Sequence, residues 1–244
     1  MSDSLRFACI GCGKCCTGHH VPLTLDEARR WASDGGQVVV LIEGFVADGP
    51  GMPPEQRDHV VRRSQAVACG STQLRVSVTF AAFNPGRCRH LDDDDLCAIY
   101  ETRPLVCRIY PAEINPHLPL RPEAKDCPPE AWEQGPPLIV GQRLVDPRLN
   151  ALIEASRQAD REDIAAKVAI CERLGITTSA LKGNGFTAWL PDMQAFLAAL
   201  DSNPAPASAA WIVHLQDPEL TRTLQQRGLQ TTAEAPVYYA FIGF

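Results

Sequence analysis

No run of apolar residues in this chain approaches the ~20 that a membrane-spanning helix needs. Basic charge is not in excess either. Lys and Arg number 23 against 29 Asp and Glu, and the net charge is −6. That balance argues against nucleic acid or an anionic membrane as partner, since phosphates need a basic stripe. Residues 1–20 lack both a basic start and an apolar run of signal-peptide length, so a cytoplasmic protein is expected. Several catalytic signatures are missing: G-x-G-x-x-G after a strand, G-x-x-x-x-G-K-[ST], H-E-x-x-H and G-x-S-x-G. A methyltransferase of the nucleotide-fold type would need a glycine-rich strand–turn–helix, and none is found. Gly183-Asn184-Gly185 reads as a turn only. What remains is ordinary globular composition over 244 residues, 45% hydrophobic and 21% charged. It excludes disorder, collagen and coiled coil as the overall answer and admits one or two domains.

Cysteine is scarce in one half and dense in the other. Of the 10 cysteines, residues 128–244 hold only Cys171. The other nine lie between Cys9 and Cys127, four of them inside the eight residues Cys9–Cys16. In a reducing compartment such a pattern points to metal or catalysis rather than to disulfides. A chain of this length also folds without staples.

The first cluster is Cys9-x2-Cys12-x2-Cys15-Cys16. A C-x-x-C turn brings two thiolates onto one metal, and Gly13 suits the tight turn. Adjacent side chains point apart, so Cys15 and Cys16 are expected to serve different metals, or one of them to support the other's site. The second set is Cys88, Cys97, Cys107 and Cys127, preceded by Cys69. These gaps need tertiary folding to converge, as in a metal core that organises loops of little periodicity. Leu91, Leu96, Ile99, Tyr100, Ile109 and Tyr110 are interspersed and could shield the site. Buried structural thiols are the plainer alternative, but four cysteines in eight residues argue against it. Cys171 is read as core, on an apolar helical face with Ile164 and Val168. Arg103 and Arg108 flank the ligands and are candidates to hydrogen-bond thiolates or a bound group, with loop bracing as the alternative. His19, His20, His90 and His117 are not taken as ligands, and Asp92 to Asp95 is read as a solvated turn.

The expected fold is α+β: a loop-rich, metal-organised cysteine-cluster domain over 1–135, then a mainly helical region over 136–244. Thr24 and Glu27 have capping-box spacing and open a helix that Gly35-Gly36 stops. Val38 to Ile42 reads as a buried strand and 47–54 as a loop. Residues 55–66 read as a polar helix, and 72–80 as a half-buried alternating strand. Residues 84–137 read as irregular loops with one or two helical turns. Asp146-Pro147 opens a helix to about Gln158, and Asp160 caps a second one to Gly175. A third helix is expected over 192–200, a linker over 203–210, a fourth helix from Asp217-Pro218 to Gly228, and a final strand in 237–244.

The cysteine-bearing residues resemble the CxxCxxCC cysteine-cluster family, a zinc- or iron-chelating domain. Three pieces carry the resemblance. The first is Cys9-x-x-Cys12-Gly13-x-Cys15-Cys16, and the second is Cys88-x-x-Leu91. The third is Cys97-x-Ile99-Tyr100-x-x-Arg103-Pro104-x-x-Cys107-Arg108-x-Tyr110-Pro111. It covers roughly residues 7–130. Tyr110 stands where phenylalanine is common, and Cys69 and Cys127 sit where members often place further cysteines. The resemblance implies a metal or iron–sulfur centre held by these thiolates. It also reaches the flagellin lysine N-methylases, which are similar in the cysteine cluster.

Eight cysteines suffice for two four-thiolate zinc sites. A [4Fe–4S] cluster also takes four thiolates, and C-x2-C-x2-C begins a ferredoxin run, although Cys16 follows here at once. Iron–sulfur is favoured over zinc, on the triple spacing and the methylase relatives. The leading reading is a cytoplasmic metal-binding protein with one or two Cys-ligated centres. A second is an S-adenosylmethionine-dependent lysine N-methylase-like enzyme acting on a protein substrate beside an iron–sulfur centre. A third is a metal-delivery protein with an exposed, labile site.

Overall fold

The computed structural model describes residues 4–46, 54–202, 208–234 and 239–242. Most of the loop expected over 47–54, residues 203–207 of the expected linker, and both ends of the expected strand 237–244 lie outside the described residues. In chain order the first elements are β1 (Ser4–Arg6), β2 (Val21–Leu23), α1 (Leu25–Ser33), β3 (Val38–Phe45), α2 (Arg57–Val61), β4 (Gln65–Cys69) and β5 (Thr72–Ala82). Then come α3 (Leu105–Ile109), α4 (Glu130–Glu133), β6 (Pro137–Val140), β7 (Arg143–Leu144) and α5 (Pro147–Arg173). The last are β8 (Thr178–Leu181), β9 (Phe186–Trp189), α6 (Met193–Asp201), β10 (Ile212–His214), α7 (Pro218–Gln226), β11 (Thr231–Thr232) and β12 (Tyr239–Ile242). The fold is α+β, as expected. Among the described residues no helix is long and apolar enough to cross a membrane.

The chain divides into two compact units, residues 1–21 with 83–158 and residues 22–82 with 159–244. The boundary expected at 135/136 falls inside the first. In the second unit, β3 is central to a nine-stranded mixed sheet. Its residues Val38, Val40, Ile42 and Phe45 are fully buried. A strand covered on both faces reads as a continuous apolar run rather than an alternation, which is why the run Val38 to Ile42 stood out. β5 pairs antiparallel with it, Val40 opposite Phe80 and Ile42 opposite Val78. Here the alternation is kept: Leu74, Val76, Val78 and Phe80 are buried, while Arg75, Ser77 and Thr79 are partly exposed. β8, β10 and β11 extend the sheet in parallel on the other side of β3. The Phe80 ring meets Phe196 of α6 edge-on at 5.1 Å.

Helix starts follow local chemistry. Thr24 accepts from the Glu27 amide while the Glu27 carboxylate accepts from the Thr24 amide, a complete capping box. Asp192 accepts from the Ala195 amide to open α6, and Asp217 accepts from Glu219 and Leu220 to open α7. Together with α5 they make the C-terminal region mainly helical, and β8 to β11 run between them.

Three expected helices are corrected. Only Arg57–Val61 of residues 55–66 is α-helical, after a short 3-10 turn over Pro54–Gln56. From Gln65 the chain turns into β4, because it forms a hairpin with β5 in which Cys69 lies opposite Thr72. The two-residue Gly70-Ser71 connection was the available signal. Gly70 sits at φ +63°, and a Cβ there would collide with the Gly228 carbonyl oxygen. Gly70→Ala is therefore expected to cost about 1–3 kcal/mol in a denaturant titration. The two helices expected over 146–158 and 160–175 are one, α5, without a break at Asp160. The Asp160 carboxylate is engaged by Arg63 and lies 3.9 Å from the buried Lys167 ammonium, so it does not cap.

In the first unit β1 pairs antiparallel with β6 and β6 with β7. Residues 84–137 are otherwise short turns, as their composition implied. The apolar core here is thin: among the described residues Pro104, Ile109, Pro111, Ala131, Leu138 and Ile153 are the buried apolar side chains.

Candidate metal centre

The Cys9–Cys16 segment is a loop closed by a 3-10 turn, Lys14–Cys16, and Gly11 and Gly13 both take positive φ. Both glycines are close-packed. A Cβ on Gly11 would meet Leu96 at 2.9 Å, and one on Gly13 would meet Asp95 at 3.0 Å. The segment is thus seated on the 92–96 turn, where the Asp92 carboxylate accepts from the amides of Asp94 and Leu96. Cys88 donates its amide to the Cys16 carbonyl at 2.7 Å. Further backbone bonds, Leu91 to Cys88, Ala98 to His90 and Tyr100 to Cys97, fix the next loop. Cys107 is carried on α3.

These loops place eight thiols where several shift one another's titration. Burial, then repulsion from Cys16, Cys88 and Cys97, pushes the Cys107 thiol up to about 12. Cys88 is raised by burial and by the same neighbours, Cys16 and Cys97. On the other side, Cys127 is raised by burial and by repulsion from Cys12 and Cys9. Cys15 is raised first by its hydrogen bond with Cys16, then by burial and by Cys16, Cys127 and Cys9. Cys16, Cys88, Cys97 and Cys107 thus influence one another, while Cys9 acts on both Cys15 and Cys127 and Cys12 acts on Cys127. Cys15 and Cys16 share a sulfur hydrogen bond at 3.9 Å. That hydrogen bond, with the Arg103 guanidinium, lowers Cys16 to about 7. Among the described residues no three Cys, His, Asp or Glu side chains already stand as ligands of a single ion.

The donor chemistry fits zinc or iron, both of which thiolate sulfur serves. A second observation supports the fit. Arg103 stacks its guanidinium over the Tyr100 ring at 3.7 Å, and its Nε is buried without a hydrogen-bond partner. A buried N–H beside thiols is a donor for metal-bound sulfur, and such bonds orient and tune thiolate ligands. Arg108 is placed differently. Its side chain lines a groove with Phe7, Tyr110, Leu138 and Leu152.

Cys69 stands in β4 of the second unit, fully buried, with its thiol donating to the Gln230 carbonyl at 3.5 Å. Cys171 is fully buried on α5, as the apolar face implied, and burial pushes its thiol up. His19 pairs with Asp126 at 3.0 Å. Tyr110 has a role that its sequence position did not suggest. Its hydroxyl accepts from the Asp126 amide at 3.1 Å and lies 3.7 Å from the Cys127 sulfur.

His20 accepts from the Asn84 amide through Nδ1 at 3.2 Å and stacks on Phe83. Burial and the neighbouring His19 lower its pKa from 6.5. The neutral ring thus contributes stability that is present above pH 6.5 and lost as the pH falls through the lower folded value. In an NMR titration the His20 ring is expected to titrate below 6.5. A midpoint at or above that value would contradict the hydrogen bond.

Eight cysteines carried on neighbouring loops, four of them within Cys9–Cys16, mark a cysteine-rich metal-chelating domain. Over residues 8–128 the chain belongs to the CxxCxxCC family, described as a "putative zinc- or iron-chelating domain". No curated protein and no solved structure matches the chain.

Proposed function

We propose that this is a cytoplasmic metal-binding protein whose eight cysteines hold two centres. Cys16, Cys88, Cys97 and Cys107 ligate the inner one, and Cys9, Cys12, Cys15 and Cys127 the outer. What supports the reading is that the thiols acting on Cys88 and Cys107 are Cys16 and Cys97, while those acting on Cys127 are Cys12 and Cys9. Four thiolates are the complement of a closed zinc site and of a [4Fe–4S] cluster alike. Iron–sulfur is the preferred occupant, on the C-x2-C-x2-C spacing. Arg103 supports it as a donor to cluster or ligand sulfur, and all ten cysteines are free thiols, as metal ligation in a reducing compartment requires. Arg108 contributes charge along its groove rather than a hydrogen bond to sulfur. Cys69 has a backbone partner of its own, so it is not needed for either set.

The test is anaerobic purification of the full chain, with an absorption spectrum, iron, zinc and acid-labile sulfide measured on one sample. Brown protein with iron and sulfide is the expected result. Colourless protein with about two zinc ions per chain would overturn the iron assignment and keep the two four-thiolate sites. Protein that takes up neither metal, as isolated or on reconstitution, would overturn chelation itself.

A further inference from the structure

The chain around Cys127 is held at several points. The Trp132 indole donates to the Cys127 carbonyl at 3.4 Å, and Trp132 packs on Phe7 with ring centroids 4.9 Å apart. Lys125 pairs with Glu113 and lies 5.7 Å from the centre of the Tyr110 ring. The Tyr110 hydroxyl accepts from the Asp126 amide at 3.1 Å and stands 3.7 Å from the Cys127 sulfur. Tyr110 itself is anchored. It follows α3 directly, its amide donates to the Val106 carbonyl, and its neighbours Ile109 and Pro111 are buried. A phenol has one proton to donate and lone pairs with which to accept. The Asp126 amide occupies a lone pair. Among the described residues the Cys127 sulfur is the partner left for the proton.

We infer that Tyr110 is a positioning residue for Cys127: its hydroxyl donates to the sulfur when that sulfur ligates a metal, which fixes the direction of the ligand and makes it a poorer nucleophile. The inference rests on the reading of Cys127 as a ligand, given above. While the thiol keeps its proton, it can donate to the phenol oxygen. A metal-bound thiolate has no proton and only accepts. The pair then persists with the phenol as donor, by a turn of the O–H about its C–O bond. The Asp126 amide keeps the oxygen aimed throughout, since its hydrogen bond is the same in both arrangements. Hydrogen bonds of this kind orient the ligands of a metal and tune them. A sulfur whose charge is shared with a donor also attacks a carbon electrophile more slowly, because nucleophilicity falls with basicity.

The experiment uses the full chain, loaded anaerobically with zinc and treated with iodoacetamide. Alkylation of each cysteine is followed by peptide mass spectrometry. The Cys127 sulfur displaces iodide and becomes a thioether, so the rate at that one position reads its nucleophilicity. Tyr110→Phe keeps the ring and removes the donor. In it Cys127 is expected to react roughly three- to tenfold faster than in the parent, the rate equivalent of one ordinary hydrogen bond, with zinc content unchanged. Glu113→Gln weakens the Lys125 pair that braces the same loop but leaves the hydroxyl in place, and should keep the Cys127 rate near that of the parent. An unchanged rate in Tyr110→Phe, or an equal acceleration in both variants, would overturn the inference. Loss of zinc from Tyr110→Phe would overturn it too, since the hydroxyl would then be holding the loop rather than the sulfur. A different outcome strikes the underlying reading instead. If Cys127 in the zinc-loaded parent reacts as fast as in metal-free protein, it is not a ligand.

Discussion

Metal removal is expected to erase amide-exchange protection across residues 8–20 and 84–128 while leaving β3 and β5 protected. The reason is the thinness of the apolar core around the cysteine loops. Among the described residues Pro104, Ile109, Pro111, Ala131, Leu138 and Ile153 are the buried apolar residues of the first unit, and most of its backbone runs through turns. Such a region cannot offset the entropy of ordering, roughly 1–2 kcal/mol per residue, by burial alone. Where ligands are gathered only in the folded state, binding free energy is folding free energy, about 10–16 kcal/mol for a structural zinc site in small peptides. Cys88→Ser should reproduce much of the effect, since it removes one proposed ligand thiolate while keeping the backbone amide that donates to the Cys16 carbonyl. The measurement is hydrogen exchange by mass spectrometry before and after anaerobic chelation. Unchanged protection across 84–128 would show that these loops hold without metal.

Trp211→Ala is expected to act on the other unit, lowering stability by about 3–5 kcal/mol with metal content unchanged. Trp211 is fully buried. Its amide donates to the Ala68 carbonyl at 2.8 Å, and its indole Nε1 donates to Glu172 at 3.0 Å. The truncation opens a cavity and removes one partner of a carboxylate that also accepts from the Ser208 amide. Both losses are destabilising, and a half-abandoned carboxylate adds to the cavity term. At this chain length each kcal/mol lowers the melting midpoint by about 2–4 °C, so a drop of roughly 6–20 °C is expected by circular dichroism. Trp211→Phe keeps most of the volume and should cost markedly less. Equal losses in the two variants would mean that the Glu172 hydrogen bond, not the packing, carries the effect.

What the sequence determined by itself is what short-range chemistry can encode. The Thr24 capping box, the helix start at Asp217-Pro218, the helix near 192–200 and the alternation of β5 each depend on residues within a few positions of one another. Each is found as its spacing implies. The Cys9–Cys16 cluster belongs here too, because four thiols in eight residues have few other uses. What only tertiary structure decided involves partners far apart in the chain. Asp160 has the chemistry of a cap, yet α5 runs through it because Arg63, 97 positions away, occupies its carboxylate. Gln65–Cys69 could pass for a helix end until β5 offers it a ladder. The neighbours of the thiols are of the same kind. Cys127 comes under the influence of Cys9 and Cys12 across more than a hundred residues. Arg103 and Arg108 flank the same ligands in sequence, yet one turn of chain puts the first over Tyr100 and the second into a groove. Spacing along the chain records which groups are available. Which of them meet depends on loop closures whose entropy is met only by the assembled fold.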